Sequence, residues 1–325
     1  MSDGKRAVDS DKVFTVLITN SAYLSGLFTL NFSLRQVKSQ YPLVALYTDT
    51  LDDAAHAALD RRGIPKQRID YLLPTKGKDY SNDPRFYDCW SKLTPFSLTQ
   101  YSRVVQLDAD MLVRQNIDDL MTLPLDAPDI AAQGNTVTAP STRVFAAGHA
   151  CVCNPLKKPH YPKDWVPSHC AFTTQHGARA EAQTVAPPPD ASPLGYMNGG
   201  LQVVNPSNDI YAQIVAYMET DAANMDFADQ SLLSDLFRGR WVSLPYVYNA
   251  LKTLRWPGVH DAIWSDDDVK VVHYILAPKP WGERAQDGTW TNAGKPEDQE
   301  THKWWGNADG ERRRQEKANG IDDGF

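Results

Sequence analysis

Short apolar runs alternate with longer amphipathic stretches along the first third of the chain. Val13-Phe14-Thr15-Val16-Leu17-Ile18-Thr19 is continuously apolar apart from its threonines and predicts a central strand. From Tyr23 to about Lys38, the residues Leu24, Leu27, Phe28, Phe32 and Leu34 recur three or four apart, the spacing of one helix face. Leu43–Thr48 predicts a second strand. Asp52–Arg62 predicts a second helix, opened by Asp52 or Asp53 and stopped by Gly63. Ile69-Asp70-Tyr71-Leu72-Leu73 predicts a third strand, Trp90–Leu98 a helix with Pro95 in its middle, and Val104–Leu107 a buried strand. Strand–helix alternation with short connections implies βαβ units and an α/β fold with a mostly parallel sheet.

The pattern then breaks. Residues 134–195 carry no clear period and many prolines, including Pro187-Pro188-Pro189. That is too long for an ordinary connection in a compact domain, so it predicts an insertion covering a substrate site. Asn198-Gly199-Gly200 reads as a turn before the strand Leu201–Val204; helices near 209–220 and 229–238 follow, and a last strand, Val269–Val272, runs into His273. The expected organisation is a flexible N-terminus at 1–11, one α/β domain at 12–305 with the insertion at about 134–195, and a polar C-terminal tail at 306–325.

A chain of 325 residues is long enough for such a domain. Its formal net charge of -7 gives no reason to expect a nucleic-acid or anionic-membrane partner. A phosphate-bearing ligand therefore has to meet local positive charge or a metal. Met1–Arg6 is charged and leads into no signal-type run, and Val13–Ile18 is too short for a transmembrane segment, so a soluble cytoplasmic protein is expected. The insertion holds His149, Cys151, Cys153, His160, His169 and Cys170, but no Cys-x-x-Cys and no standard zinc spacing. Ordinary buried or free thiols are the expectation there.

Candidate chemistry collects at predicted strand ends, where open α/β sheets bind ligands. Thr19, Asp108 and His273 each lie there. Asp108 and Asp110, one residue apart where strand register lapses, can converge on one hard cation, and a neutral His273 imidazole suits Mn²⁺ beside carboxylates. Lys279, set between Pro278 and Pro280, can bring a point charge to a phosphate. The glycines of Asn198-Gly199-Gly200 permit close backbone approach, and the Asn198 amide both donates and accepts. Asp229-Gln230 at a helix start either caps that helix or holds a sugar and steadies developing positive charge. Thr19-Asn20 with Tyr23 offers polar contacts and a ring for a base and ribose, or a helix cap and a core aromatic. Lys92 stands alone as a lysine; Arg85 is a further phosphate candidate.

Taken in order, these stretches resemble glycosyltransferase family 8, which includes glycogenin and galactinol synthase. The resemblance runs from Val13 to about Trp305 through Thr19-Asn20-Ser21-Ala22-Tyr23, Ser91-Lys92-Leu93, Leu107-Asp108-Ala109-Asp110, Asn116-Ile117-Asp118-Asp119-Leu120, Asn198-Gly199-Gly200, Asp229-Gln230 and His273…Lys279-Pro280-Trp281. The insertion and the distal Lys303-Trp304-Trp305 are similar to the galactinol synthase branch. The position of glycogenin's self-glycosylated tyrosine, seven residues after the Asn of Tyr248-Asn249, is Trp256 here, so self-glycosylation there is not expected. Where the family has glycine three residues past the motif histidine, this chain has Leu276.

The resemblance implies a GT-A-type fold and a retaining, metal-dependent transfer of a hexose from UDP-galactose or UDP-glucose to a small hydroxylated or glycan acceptor, myo-inositol or another polyol among them. It implies Asp108, Asp110 and His273 as ligands of Mn²⁺, with Mg²⁺ as the substitute. Thr19, Asn20, Tyr23, Lys92, Ala109, Asn198, Gly199, Gly200, Asp229, Gln230, Leu276 and Lys279 would line the UDP-sugar site. Gln230, Asp229 and Lys279 are the residues implied nearest the chemistry. A homodimer is compatible with the family. Two other readings fit the residues, and a third does not. One is a relative acting on a glycan, lipid or protein acceptor, and another is a non-catalytic UDP-sugar sensor or scaffold. The third, a sugar-1-phosphate nucleotidylyltransferase, lacks its glycine-rich phosphate loop between Leu17 and Gly26.

Overall fold

A computed structural model describes residues 4–133, 141–285 and 289–325. Among the described residues, ten strands build two sheets. They are β1 Lys12–Ile18, β2 Leu43–Tyr47, β3 Lys66–Arg68, β4 Arg103–Leu107, β5 Met111–Val113, β6 Phe145–His149, β7 Met197–Val204, β8 Val242–Ser243, β9 Ala250–Leu251 and β10 Val271–His273. The large sheet runs β3-β2-β1-β4-β7-β6-β8 and the small one β5-β10-β9. The β3-β2-β1-β4 half is parallel, β7 is antiparallel to both β4 and β6, and β8 is parallel to β6. The middle strands are mostly apolar, as strands covered on both faces tend to be, and the buried Thr15 of β1 donates to Gln106 of β4. Helix Leu24–Gln36 and helix Asp53–Arg61 close one face, burying Leu24, Leu27, Phe28 and Leu59 against β1 and β2. Asp52 caps the second helix through Ala55 N, and Gly63 ends it with a positive φ.

Several expected elements sit elsewhere. The third strand is Lys66–Arg68, not Ile69–Leu73. It is the sheet edge, where charge guards against stray pairing: Lys66 meets Asp60 and Arg68 meets Asp49. Beyond Ile69 the chain leaves the sheet, and Tyr71 donates to Asp88. Trp90–Ser97 is a tight 3₁₀ segment rather than an α-helix, consistent with Pro95 inside it. Residues 134–140 of the expected insertion, and 1–3 of the expected N-terminus, lie outside the described residues. The rest of the insertion is not all peripheral, because β6 is a fully buried strand between β7 and β8. Its residues, Phe-Ala-Ala-Gly-His, are too small and mixed to signal a strand. Asn198-Gly199-Gly200 lies inside β7 rather than in a turn before it, and His273 ends β10 rather than following it.

The expected polar tail is also structured. Gln299–Ala318 is a helix that buries Trp305, Asp309 and Arg312. Its inner face is polar yet satisfied: Arg312 pairs with Asp309, which also accepts from Thr29 on helix Leu24–Gln36. Among the described residues no helix is long and apolar enough to cross a membrane.

Candidate active site

The link between the two sheets creates the site. β4 ends at Leu107, still paired with Leu201 of β7, and Asp108 N donates to Gly200 O at 2.9 Å. The chain turns through Asp108-Ala109-Asp110 and enters β5 in the small sheet. There Met111 faces His273 of β10, and Tyr274 N donates to Asp110 O at 2.8 Å. The same pairing that ends one sheet and starts the other thus delivers two carboxylates and an imidazole to one point. Ligand atoms of Asp108, Asp110 and His273 lie within 4.8 Å of one another. His273 Nε2 is 3.6 Å from Asp108 Oδ2 and 3.4 Å from Asp110 Oδ1.

His273 is aimed by its other nitrogen. Nδ1 lies 2.9 Å from Asn249 Oδ1, whose amide nitrogen donates to Asn198 Oδ1 at 2.9 Å. With Nδ1–H donating to an amide oxygen, the Nε2 lone pair faces the carboxylates, as a second-sphere acceptor arranges for a metal-binding histidine. Two carboxylates and one neutral imidazole suit Mn²⁺, and also admit Mg²⁺. The residues present therefore fit a divalent cation.

Two ammonium groups complete the charge pattern. Lys92 Nζ is 2.7 Å from Asp108, and Lys279 is paired with Asp110 while donating to Tyr274 O at 2.6 Å. Burial works against the Asp110 carboxylate, but Lys279 and His273 outweigh it and hold that carboxyl well below its ordinary range. Burial likewise opposes the charge on Lys92, and Asp108 overcomes it, raising Lys92 well above an ordinary lysine. On Lys279 burial prevails and lowers its pKa despite Asp110. Asp229 goes the other way: burial, reinforced by Asp108 and only partly offset by Lys92, pushes it up to about 7.

Backbone fit explains the glycines. A Cβ on Gly199 would stand 2.3 Å from Asp229 Oδ2, and one on Gly200 would stand 2.3 Å from His273 Cε1. Gly26 plays the same part behind the motif, where a Cβ would meet Ala109 O at 2.4 Å. Ala109 turns its side chain into the core beneath helix Leu24–Gln36. Gln230 Oε1 accepts from Asn198 Nδ2 at 3.2 Å and from Gly199 N at 3.3 Å, so its carbonyl side is anchored to β7. Asp229 is not the helix cap: Phe227 holds that position without a side-chain bond, and Ala228 sits between at φ 44. Leu276 has φ 64, the left-handed conformation in which a leucine is strained and a glycine is not.

Every sequence-derived candidate lines one cleft of about 250 Å³: Thr19, Asn20, Tyr23, Lys92, Asp108, Ala109, Asp110, Asn198, Gly199, Gly200, Asp229, Gln230, His273, Leu276 and Lys279. Arg85 lines it as well, held by Asp83. Thr19 donates to Asp88 at 2.8 Å, while Asn20 both caps the following turn and donates to Thr19. Tyr23 packs edge-on against Trp281, beside Lys279. Sequence reasoning missed Asp88, Asn249 and Gln202, which orient Thr19, His273 and Asp229; the expected insertion does supply part of the cleft lining, through Cys151, Asn154, Tyr161 and Trp165, residues not singled out for it in the sequence. Asn249 had one signal, the Tyr248-Asn249 pair, whose partner in space is not legible from spacing.

A seven-stranded α/β sheet with an Asp-x-Asp turn at the end of a central strand and its cleft beyond defines a GT-A nucleotide-sugar transferase. The chain belongs to glycosyl transferase family 8, whose profile matches residues 14–285, and it is a UDP-sugar glycosyltransferase. Galactinol synthase 1 of Ajuga reptans is 28% identical over 274 residues, covering 84% of this chain and 74% of that protein. Uncharacterized protein R707 of Acanthamoeba polyphaga mimivirus is 26% identical over 279 residues, covering 84% and 83%. The solved structure of the galactosyltransferase LgtC in complex with donor and acceptor sugar analogs shares the fold. It superposes with a TM-score of 0.55 at 16% identity, covering 92% of this chain and 96% of that one.

Proposed function

We propose that this enzyme moves a hexose from UDP-galactose or UDP-glucose onto a polyol hydroxyl, with myo-inositol the first acceptor, and retains the anomeric configuration. The observation that carries the reading is the imidazole of His273, turned by Asn249 between the Asp108 and Asp110 carboxylates. These three residues would hold Mn²⁺ or Mg²⁺, which when bound supplies charge stabilisation to the leaving diphosphate. Lys279 and Lys92, already inside the cleft, would give the diphosphate its remaining positive partners. Thr19, Asn20 and Tyr23 lie at the end of β1 and would hold base and ribose. Asn198, Asp229 and Gln230 would hold the hexose, with Gln230 nearest the anomeric carbon. The polyol acceptor is supported by the names of the plant relatives, which are galactinol synthases at 28% identity.

The test is UDP release with Mn²⁺ across a panel of UDP-sugars, with and without myo-inositol. Release from UDP-galactose that rises with inositol is expected, and Asp110→Asn should abolish it by replacing an anionic ligand with a neutral amide. Release unchanged by inositol would move the acceptor to a glycan, lipid or protein. Binding of UDP without release from any donor would make the chain a sensor, and full turnover in Asp110→Asn would remove the metal assignment.

A further inference from the structure

Where Cys151 lines the cleft, the structure gathers a second set of metal-ligating atoms. Cys151 and Cys153 follow β6, Cys170 follows the turn Pro167–His169, and His260 comes from the loop beyond Trp256. Their ligand atoms all lie within 4.8 Å of one another. His260 is fully buried and Cys170 nearly so. His260 Nε2 is 3.2 Å from Cys153 Sγ and 3.3 Å from Cys170 Sγ. Its Nδ1 is 2.8 Å from His176 Nε2. With His176 accepting that ring proton, the Nε2 lone pair faces the sulfurs, as an outer partner orients a ligating histidine.

Three thiols and one imidazole, with no carboxylate, form the donor set of a closed structural zinc site. With Zn–S near 2.3 Å and Zn–N near 2.0 Å, tetrahedral ligand atoms stand roughly 3.5–3.8 Å apart. The observed nitrogen–sulfur distances need only relax outward by a few tenths of an ångström. All four cysteines of the chain are free thiols, so no disulfide competes within the cluster. The linear spacing hid the site because Cys170 and His260 are 90 residues apart and meet only in the fold.

We propose that Cys151, Cys153, Cys170 and His260 bind one Zn²⁺, which fastens the segment after β6 to the loop beyond Trp256. Three Zn–S bonds form as three thiol protons pass to solvent, and neutral His260 gives the fourth bond, leaving a centre of net charge −1. The ion does no chemistry. It would set the rigidity of the part of the cleft lining formed by Cys151, Asn154, Tyr161 and Trp165.

The experiment is metal analysis of the purified full-length protein, freed of loosely held ions and kept reduced. About one equivalent of zinc per chain is expected, released only as thiols are titrated with a mercurial. Asp110→Asn should keep the zinc, whereas Cys170→Ser and His260→Ala should each lower it at least about tenfold. Cobalt exchange into the unmutated chain guards against variants that fail to fold, since three thiolates and an imidazole give the intense visible spectrum of tetrahedral cobalt. Zinc below about a tenth of an equivalent, with no such spectrum after reconstitution, would overturn the site. So would two cysteines that resist alkylation in a chain lighter by two hydrogens.

Discussion

Asp229 carries the sharpest conflict in the cleft. It is buried against Gly199, holds a proton up to about pH 7, and in an unfolded chain would release it near 3.8. The folded state therefore binds the proton more tightly. The stability this contributes is complete below about pH 4 and is lost as pH climbs through about 7. Asn cannot titrate, so Asp229→Asn should match the parent at pH 4 and exceed it at pH 8 by roughly 2–4 kcal/mol. Thermal melts without metal or nucleotide would check this, and parallel pH curves would contradict it. The variant should lose transfer activity over the same range. Legibility differs from one residue of the cleft to another. Asp108, Asp110 and His273 lie at the ends of apolar runs, so one chain-local signal marks each. Asn249 and Asp88 act through another side chain and leave no such mark, because their partners come from distant strands.

Between the C-terminal helix and the Lys279 loop lies a buried staple. Lys252, wholly excluded from water, bonds Asp298 at 2.8 Å, Pro278 O at 2.9 Å and His302 Nε2 at 3.1 Å. Trp256 Nε1 donates to the other Asp298 oxygen at 2.8 Å. Lys252→Met leaves the Asp298 carboxylate buried without its cation, which should cost about 3–5 kcal/mol in denaturant melts. Adding Asp298→Asn should recover part of that loss, and purely additive effects would deny the pairing. Because Pro278 adjoins Lys279, the single variant should also raise KM for the donor. This helix was unreadable in the sequence: apart from Trp305 its inner face is Thr301, His302, Gly306, Asp309 and Arg312, made tolerable largely by pairing rather than by apolarity. β6 was hidden for the opposite reason, as a strand of small residues with no alternation. β1, β2 and β4 were legible because strands covered on both faces are mostly apolar, and their short Val- and Leu-rich runs survive the single polar pair Thr15–Gln106.

The fold joins distant parts of the chain: β1 pairs with β4, and β4 with β7. Such non-local pairing slows folding, since long loops must close before contacts reward them. The sheet order also fixes a history for the nascent polypeptide. When residue 133 leaves the ribosome, β1 to β4 exist but β7 does not, so Val104, Val105 and Leu107 form an unpaired apolar edge. A fragment ending at 133 should therefore pellet on centrifugation while the full chain stays in solution; a soluble, folded fragment would show that the parallel half closes by itself. In vectorial synthesis, the exposed interval lasts until Val204 emerges, and the cysteine-bearing segment is made within it. That segment governs how long the nascent sheet stays open to a chaperone.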